Sequence, residues 1–361
     1  MTIRQIVKYF LIWQIFIVVV TLLSPSFFPL RQSSLGGTFS LYRKNPLLYS
    51  RGNFEGTHYI NISQKDYGYA EQSIFPMYPR LIHSLKFLIP DPYLAGVVIS
   101  LISFLAGLII LNKLLSLDYS PVIVKWTILA LLFFPTSFFF GGVYTEGLFF
   151  FLVVASFYFA RTRHWILAVL LAAAATNTRL IGIVLLPSLI IEMWHQGQAT
   201  VRKFLPVLLI PLGLISYMWY LQHTTGNPLA FITVTDIRIV LPYQVLWRYL
   251  KMIASVGPSN LAYPTLMLEG MVGIMFLVTS IYSFIKHRLS YAVFNSLVYL
   301  IPTLTGNFIS LPRYVLICFP SFILAGQLLA TSKLGRVLAF TIFITSLTVF
   351  LMMFVSGYWV S

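Results

Sequence analysis

The chain is poor in charged residues, and above all in acidic ones. Only 9% of its 361 residues are charged, and nine Asp and Glu stand against 24 Lys and Arg. Soluble domains carry roughly a quarter charged residues, so this composition excludes a soluble enzyme and a disordered chain. The single cysteine, Cys318, excludes an internal disulfide and therefore a secreted disulfide scaffold. Its apolar neighbours predict that it packs inside a spanning helix.

Several signatures of familiar chemistry are also missing. No Asp-x-Asp occurs, so a magnesium site for a nucleotide sugar is not supported. No His/Cys group has the spacing of a zinc site, and the chain lacks a glycine-rich phosphate loop and a Gly-x-Ser-x-Gly elbow. Hydrolytic, nucleotide-driven and zinc chemistry are therefore poorly supported. We expect neither a metal nor a cofactor.

Hydrophobic residues make up 58% of the chain, and its mean hydropathy is +0.86. Several apolar runs approach the ~20 residues that a spanning helix needs. The pattern predicts an all-α, polytopic membrane protein of about 11 transmembrane helices. The two short segments around Arg179 are alternatively a broken or re-entrant pair. The eleven apolar segments are 6–23, 93–112, 122–140, 143–160, 165–176, 180–193, 204–222, 264–285, 290–305, 313–330 and 337–356.

The distribution of basic residues predicts the orientation of the chain. With a cytoplasmic N-terminus, the inside turns hold 12 Lys and Arg and the short outside loops hold five. Cytoplasmic loops carry the excess of positive charge, so the N-terminus is predicted inside and the C-terminus outside. These residues meet lipid head groups rather than nucleic acid. The inside set is Arg4, Lys8, Lys113, Lys125, Arg161, Arg163, Arg202, Lys203, Lys286, Arg288, Lys333 and Arg336, and the outside set is Arg179, Arg238, Arg248, Lys251 and Arg313.

We interpret residues 1–361 as one membrane domain, because neither a linker nor an internal repeat is evident. The first extracytoplasmic loop, 24–92, is the longest polar stretch. The polar motifs of the chain fall on this outer face. The membrane is the plasma (inner) membrane in a prokaryote or the endoplasmic reticulum membrane in a eukaryote. The oligomeric state is left open.

Within the first loop, Glu55 and His58 are three residues apart, and Tyr59 continues a helical spacing. This predicts an amphipathic helix that lies in the membrane interface and holds a carboxylate at head-group level. A solvated carboxylate on an ordinary loop is the alternative. Asp66 and Glu71 occupy the same loop and are rival candidates for a chemical role.

Two further charged residues are predicted to lie close together. Glu146 falls near the first turn of a helix, where the helix dipole favours a carboxylate. Arg179 falls between two apolar runs at the same face, and an isolated cation at membrane depth is costly. It should therefore have an anionic partner. Either Glu146 and Arg179 form a structural pair, or Arg179 receives a phosphate.

A series of short motifs follows along the chain. They are Phe54-Glu55-Gly56, His58-Tyr59, Gly68-Tyr69, Ile74-Phe75-Pro76-Met77-Tyr78-Pro79, Phe134-Pro135 with Tyr144 and Glu146, Thr178-Arg179 with Gly182, and Ser310-Leu311-Pro312-Arg313-Tyr314. Together these segments resemble the PIG-V family of mannosyltransferases and their prokaryotic relatives, in order and over most of the chain. The family's Trp-Asp is replaced here by Phe54-Glu55, whose carboxylate is one methylene longer.

The resemblance implies a GT-C glycosyltransferase without a metal. Such an enzyme takes a sugar, here mannose, from a polyprenyl-phosphate donor at the outer or luminal face and passes it to a glycolipid or glycan. A transporter or lipid flippase is the alternative, but such proteins usually show repeated halves. A non-catalytic scaffold would leave the outer motifs unexplained. The implied roles are Glu55 as base, His58, Tyr59 and Tyr78 in substrate binding, Arg179 and Arg313 on the phosphate, and Glu146 orienting the acceptor or Arg179.

Overall fold

The computed structural model describes residues 1–31, 35, 39–68, 70–198, 205–233 and 240–360. Within these ranges the chain is all-helical and contains no β-strand. The described helices are α1 (Ile3–Leu23), α2 (Phe39–Lys44), α3 (Pro46–Tyr49), α4 (Glu55–Lys65), α5 (Met77–Ser84), α6 (Pro92–Leu115), α7 (Pro121–Leu132), α8 (Glu146–Arg161), α9 (Trp165–Thr178), α10 (Leu185–His195), α11 (Leu212–Thr225), α12 (Ala230–Thr233), α13 (Pro242–Ser255), α14 (Tyr263–Lys286), α15 (Leu289–Thr303), α16 (Leu311–Tyr314), α17 (Phe319–Thr331) and α18 (Lys333–Val355).

Some residues used in the sequence analysis lie outside the described part of the chain. They include one member of a family motif and several members of the charge count. These residues are Tyr69, Arg202, Lys203 and Arg238.

Five described helices are long and apolar enough to cross a membrane. A sixth crossing results if the segments 311–317 and 319–331, which meet at an angle of 81°, form one bent span. These lengths confirm an all-helical, multi-pass membrane protein. The five long helices are Ile3–Ser26, Pro92–Leu115, Leu205–Thr225, Tyr263–Lys286 and Lys333–Val355.

Proline divides the bent span. Pro312 lies in the first turn of α16, and Pro320 lies in the first turn of α17. Proline is tolerated there because the first helical N–H groups have no partner inside the helix. The hydroxyl of Thr136 donates to the carbonyl of Pro312 at 2.7 Å and holds the break in place. Arg313 is thereby positioned at the bend, within the fold.

Helices α6 and α8 pack closely because small residues face the partner helix. A Cβ at Gly107 of α6 would lie 2.7 Å from the ring of Phe150. A Cβ at Gly147 of α8 would lie 2.5 Å from the carbonyl oxygen of Ser100. Small residues let the backbones of membrane helices approach. This contact fixes the beginning of α8, where Glu146 is located.

The C-terminal end of α8 carries a separate charged network. Arg161 donates to Asp118 at 2.8 Å, and Arg288 donates to the fully buried Glu192 at 2.9 Å. Arg161 also lies 3.5 Å from Glu192. Arg161 and Arg288 belong to the set predicted inside, and Glu146 lies about 22 Å from Arg161 along the axis of α8. The two polar groups thus occupy opposite ends of α8.

Cysteine labelling tests the predicted orientation. In a Cys318→Ser background, we expect Gln64→Cys in α4 to react with an impermeant thiol reagent in sealed cells, and His195→Cys in α10 to react only after permeabilisation. Both positions are exposed, and the native thiol is buried. The reverse pattern would show an inverted chain. Labelling of both positions in sealed cells would contradict the placement of α4 and the end of α10 on opposite faces.

Candidate active site

Four charged side chains from distant segments meet at the N-terminal end of α8. Arg313 Nη2 donates to Glu55 Oε1 at 2.8 Å, and Arg313 Nε lies 3.2 Å from Glu146 Oε1. Arg179 Nη1 donates to the same Glu146 oxygen at 2.6 Å. The result is a continuous row, Glu55–Arg313–Glu146–Arg179, which we call the charged cluster. It unites all the charged site residues predicted from the sequence except His58.

A strained turn delivers Glu55 to the cluster. Glu55 is the first residue of α4, and the preceding Phe54 has φ +56°, a left-handed conformation that is rare for an aromatic residue. The Phe54 ring packs on Trp359, with 5.2 Å between ring centroids. The buried Asn53 amide donates to the carbonyl of Phe354 at 2.8 Å. Such strain persists where the surroundings enforce it, and functional sites are where it concentrates.

Arg179 owes its position to the break between α9 and α10. It has an extended backbone and is followed by the 3₁₀ turn Leu180–Val184. A Cβ at Gly182 in that turn would lie 2.6 Å from the backbone of Ala175. Only glycine lets the turn pack this closely against α9. The Thr-Arg-x-x-Gly pattern therefore has a steric reason, because Gly182 seats the segment that carries Arg179.

Replacing Gly182 by alanine should displace Arg179 without altering any charged side chain. Overpacking of this kind costs about 1–3 kcal/mol, so we expect a lower unfolding temperature in detergent and weaker transfer activity. Gly257→Ala is the matched control, because among the described residues its Cβ would meet only Ser259, at 3.9 Å. Equal behaviour of the two variants would show that the Gly182 contact is not limiting.

Aromatic rings surround the two arginines. The Arg179 guanidinium carbon lies 4.8 Å from the centroid of Tyr314. The Arg313 guanidinium carbon lies 5.3 Å from Tyr144 and 5.5 Å from Phe139. A cation over an aromatic face is stabilised by the ring quadrupole. Sequence reasoning did not assign Tyr314 or Phe139 to the site, although Tyr314 lies inside a motif that it used and Phe139 lies between Pro135 and Tyr144 of another.

The cluster is accessible at its two ends and closed in its centre. The side chains of Glu146 and Arg313 are only 2% and 5% exposed, whereas those of Arg179 and Glu55 are 16% and 33% exposed. In the described part of the chain, Arg179 uses only Nη1, toward Glu146 and the hydroxyl of Thr145. Its Nε and Nη2 therefore remain for a ligand.

The electrostatics keep Glu55 ionised. Its burial would raise the pKa of the carboxyl group, but the opposing charge and hydrogen bond of Arg313 outweigh this effect. Arg179 and His58 act in the same direction, so the pKa of Glu55 is lowered. Burial raises the pKa of the nearby Tyr59, which therefore keeps its proton and can donate a hydrogen bond. The site thus offers a carboxylate and a phenol side by side.

Tyr78 packs between α6 and Tyr59 rather than in the charged cluster. It is fully buried, and its hydroxyl donates to the carbonyl of Gly96 at 2.9 Å. The hydroxyl also contacts Ser100 at 2.8 Å. Its ring packs edge-on against Tyr59, with 5.3 Å between centroids. The Tyr78 hydroxyl is thus bonded to α6, and the Tyr78 ring supports Tyr59.

The other candidate bases lie outside the charged cluster. Asp66 caps the C-terminus of α4, about 16 Å along the helix from Glu55. Glu71 is 8% exposed and binds His58 Nδ1 at 2.7 Å. Glu55 is therefore the candidate base that the fold brings to the arginines. Among the described residues, no group of three or more His, Cys, Asp or Glu is arranged to hold a metal ion.

No protein-family model, curated protein or solved structure matches this chain. The resemblance to the PIG-V family is therefore still a prediction from the succession of short motifs. A function for this chain is therefore argued from the geometry of the charged cluster.

Proposed function

We propose that the protein is a membrane glycosyltransferase of the GT-C type. It transfers a sugar, which the PIG-V resemblance suggests is mannose, from a polyprenyl-phosphate donor to a glycolipid or glycan acceptor. One observation carries the proposal: two carboxylates and two arginines from four distant segments converge, and the row is open at a carboxylate and at an arginine. The reaction requires a base for the acceptor hydroxyl and a group that binds the donor phosphate.

The open arginine suits the donor phosphate. The unused Nε and Nη2 of Arg179 form the planar fork that binds two phosphate oxygens. The open carboxylate suits the acceptor, because Glu55 is ionised and can take the proton of the attacking hydroxyl. A phosphate leaving group needs little protonation, so a single base suffices, unlike the two carboxylates of glycosidases.

The row also couples the two ends of the site. Its four charges cancel while Glu55 and Glu146 are both ionised. When Glu55 accepts the proton, it no longer neutralises Arg313, which it contacts at 2.8 Å. The positive charge of Arg313 then becomes available as negative charge develops on the departing phosphate. Stabilisation that appears only in the transition state is the kind that raises turnover.

The membrane arrangement supports a lipid-linked donor. In addition to the five long helices and the bent span, five shorter helices overlap the remaining predicted segments, and we propose that each of them is a crossing, which makes eleven. We place the charged cluster at the extracytoplasmic face of a plasma (inner) membrane, or the luminal face of the endoplasmic reticulum. A long isoprenoid tail can stay in the bilayer while its phosphate reaches Arg179. The shorter helices are α7, α8, α9, α10 and α15.

Transfer of radiolabelled mannose tests the proposal. Purified protein is incubated with labelled polyprenyl-phosphate-mannose and a membrane lipid extract, and the products are separated by chromatography. We expect a labelled glycolipid with the native protein and none with Glu55→Gln. If proteoliposomes instead move the intact donor between leaflets and form no new bond, the flippase alternative is correct.

A further inference from the structure

His58 and Glu71 form a pair that the charged cluster does not include. His58 Nδ1 lies 2.7 Å from Glu71 Oε1, and the second carboxylate oxygen accepts the backbone N–H of Gly68 at 2.8 Å. Glu71 is thus fixed through both oxygens. A Cβ at Gly68 would lie 3.1 Å from Glu71 Oε2, so glycine gives the carboxylate room to approach.

This contact determines which nitrogen of His58 is free. A carboxylate only accepts hydrogen bonds, so Nδ1 carries the proton and Nε2 presents a lone pair. The Glu71 side chain is 9% exposed, whereas that of His58 is 52% exposed. A histidine oriented by a buried carboxylate, with its other nitrogen open, is the arrangement that proton acceptors use in enzymes.

His58 also lies next to the proposed base. It follows Glu55 by three residues on α4, and side chains at this spacing are neighbours on one helix face, with Cβ atoms about 5–6 Å apart. The two are close enough for His58 to influence the pKa of Glu55. The ion pair with Arg313 favours ionised Glu55, so a proton taken by Glu55 must move on before the next turnover.

We propose that His58 receives this proton from Glu55 and that Glu71 is the positioning residue for His58. The inference rests on the proposed function. In the reaction, the acceptor oxygen bonds to the sugar carbon while the bond from that carbon to the phosphate oxygen breaks, and its electron pair leaves with the phosphate. The hydroxyl proton passes to the Glu55 carboxylate and then to His58 Nε2, which releases it to water.

The charges around His58 suit this role. Glu55 lies on α4 with His58, and Glu71 lies on the loop before α5. A protonated His58 imidazole would therefore have two neighbouring carboxylates. Arg313 and Arg179 stand behind Glu55 in the charged cluster. From α5, His83 contacts α4 at the carbonyl of Ser63, and Lys86 contacts His83.

The steady-state constants kcat and KM test the relay. His58→Gln should lower kcat about tenfold with KM within twofold, at the weak end of proton-transfer effects because Glu55 remains.

His83→Gln is the matched control. Its Nδ1 contacts a backbone carbonyl of α4 at the same 2.7 Å, but it has no carboxylate partner in the described part of the chain. It should keep both kcat and KM. If His58→Gln also keeps both while the native enzyme is active, the relay is wrong and the glycosyltransferase proposal stands.

A second measurement does not depend on activity. In protein with ¹⁵N-labelled histidine, we expect neutral His58 to be protonated at Nδ1, and this tautomer preference to be lost in Glu71→Leu, which removes the acceptor of the Nδ1–H. Its persistence in Glu71→Leu would overturn the role of Glu71. If the native protein forms no glycolipid, the proposed function fails, while this spectrum still reports whether Glu71 orients the ring.

Discussion

Turnover should collapse in Glu55→Gln, by roughly the 10²- to 10⁴-fold that a general base contributes. Glutamine keeps the shape of glutamate and can still accept a hydrogen bond from Arg313, but it cannot take a proton. Binding of the donor should persist, because Arg179 at the other end of the charged cluster is untouched. Single-turnover transfer of labelled mannose, measured beside binding of the same donor, separates these two effects.

Two further substitutions sharpen this test. Glu55→Asp keeps the carboxylate but draws it back by about 1 Å, a displacement that can cost up to ~100-fold. Partial activity is expected because the carboxylate remains but lies farther from the acceptor. Asp66→Asn is the matched control, since Asp66 is an exposed carboxylate at the other end of α4. A dead Asp66→Asn beside an active Glu55→Gln would assign the base to Asp66.

The lowered pKa of Glu55 separates its titration from that of a histidine. A carboxyl group whose pKa is depressed on folding stabilises the protein above its unfolded value of 4.5, and this contribution is lost as the pH falls through the lower folded value. The Glu55–Arg313 contact therefore persists throughout the neutral range. A loss of activity between pH 5 and 8 must come from another group.

Local sequence rules predicted part of the site. The cost of an isolated cation in a membrane required an anionic partner for Arg179, and the structure provides Glu146 at 2.6 Å. The two contacts of Arg313 could not be predicted in this way. Arg313 and Glu55 are 258 residues apart, and apolar periodicity indicates which face of a helix is buried but not which helix it meets.

The residues of the first loop show a second limit of prediction from the sequence. Glu71 and Glu55 are both glutamates in the same polar loop, so residue type alone does not distinguish their roles. The turn at Gly68 directs Glu71 to His58. Tyr78 was assigned to substrate because of its motif, yet a tyrosine hydroxyl can equally be satisfied by a helix carbonyl, here that of Gly96. The predicted segment 313–330 is in fact two helical pieces that meet at 81°, because proline divides the apolar run that contains Arg313.

Neutralising Arg179 and Glu146, singly and together, decides between a structural pair and a phosphate site. Arg179→Gln alone leaves the buried Glu146 with Arg313 as its remaining cation, and Glu146→Gln leaves two arginines facing one carboxylate. Breaking a buried pair by removing one partner typically costs about 3–5 kcal/mol, so both single variants should unfold at lower temperature. The double variant removes both charges and should recover much of that stability.

Donor binding by the double variant distinguishes a structural Glu146–Arg179 pair from a phosphate site. If Arg179 serves only to neutralise Glu146, the restored fold should also restore donor binding and transfer. If Arg179 binds the donor phosphate through its free Nε and Nη2, the double variant should fold but bind the donor weakly. We expect the second result, with transfer reduced about 10²- to 10³-fold, the loss typical for one donor group that stabilises a developing negative charge. Arg179→Lys should resemble it, because an ammonium keeps the charge but lacks the planar fork.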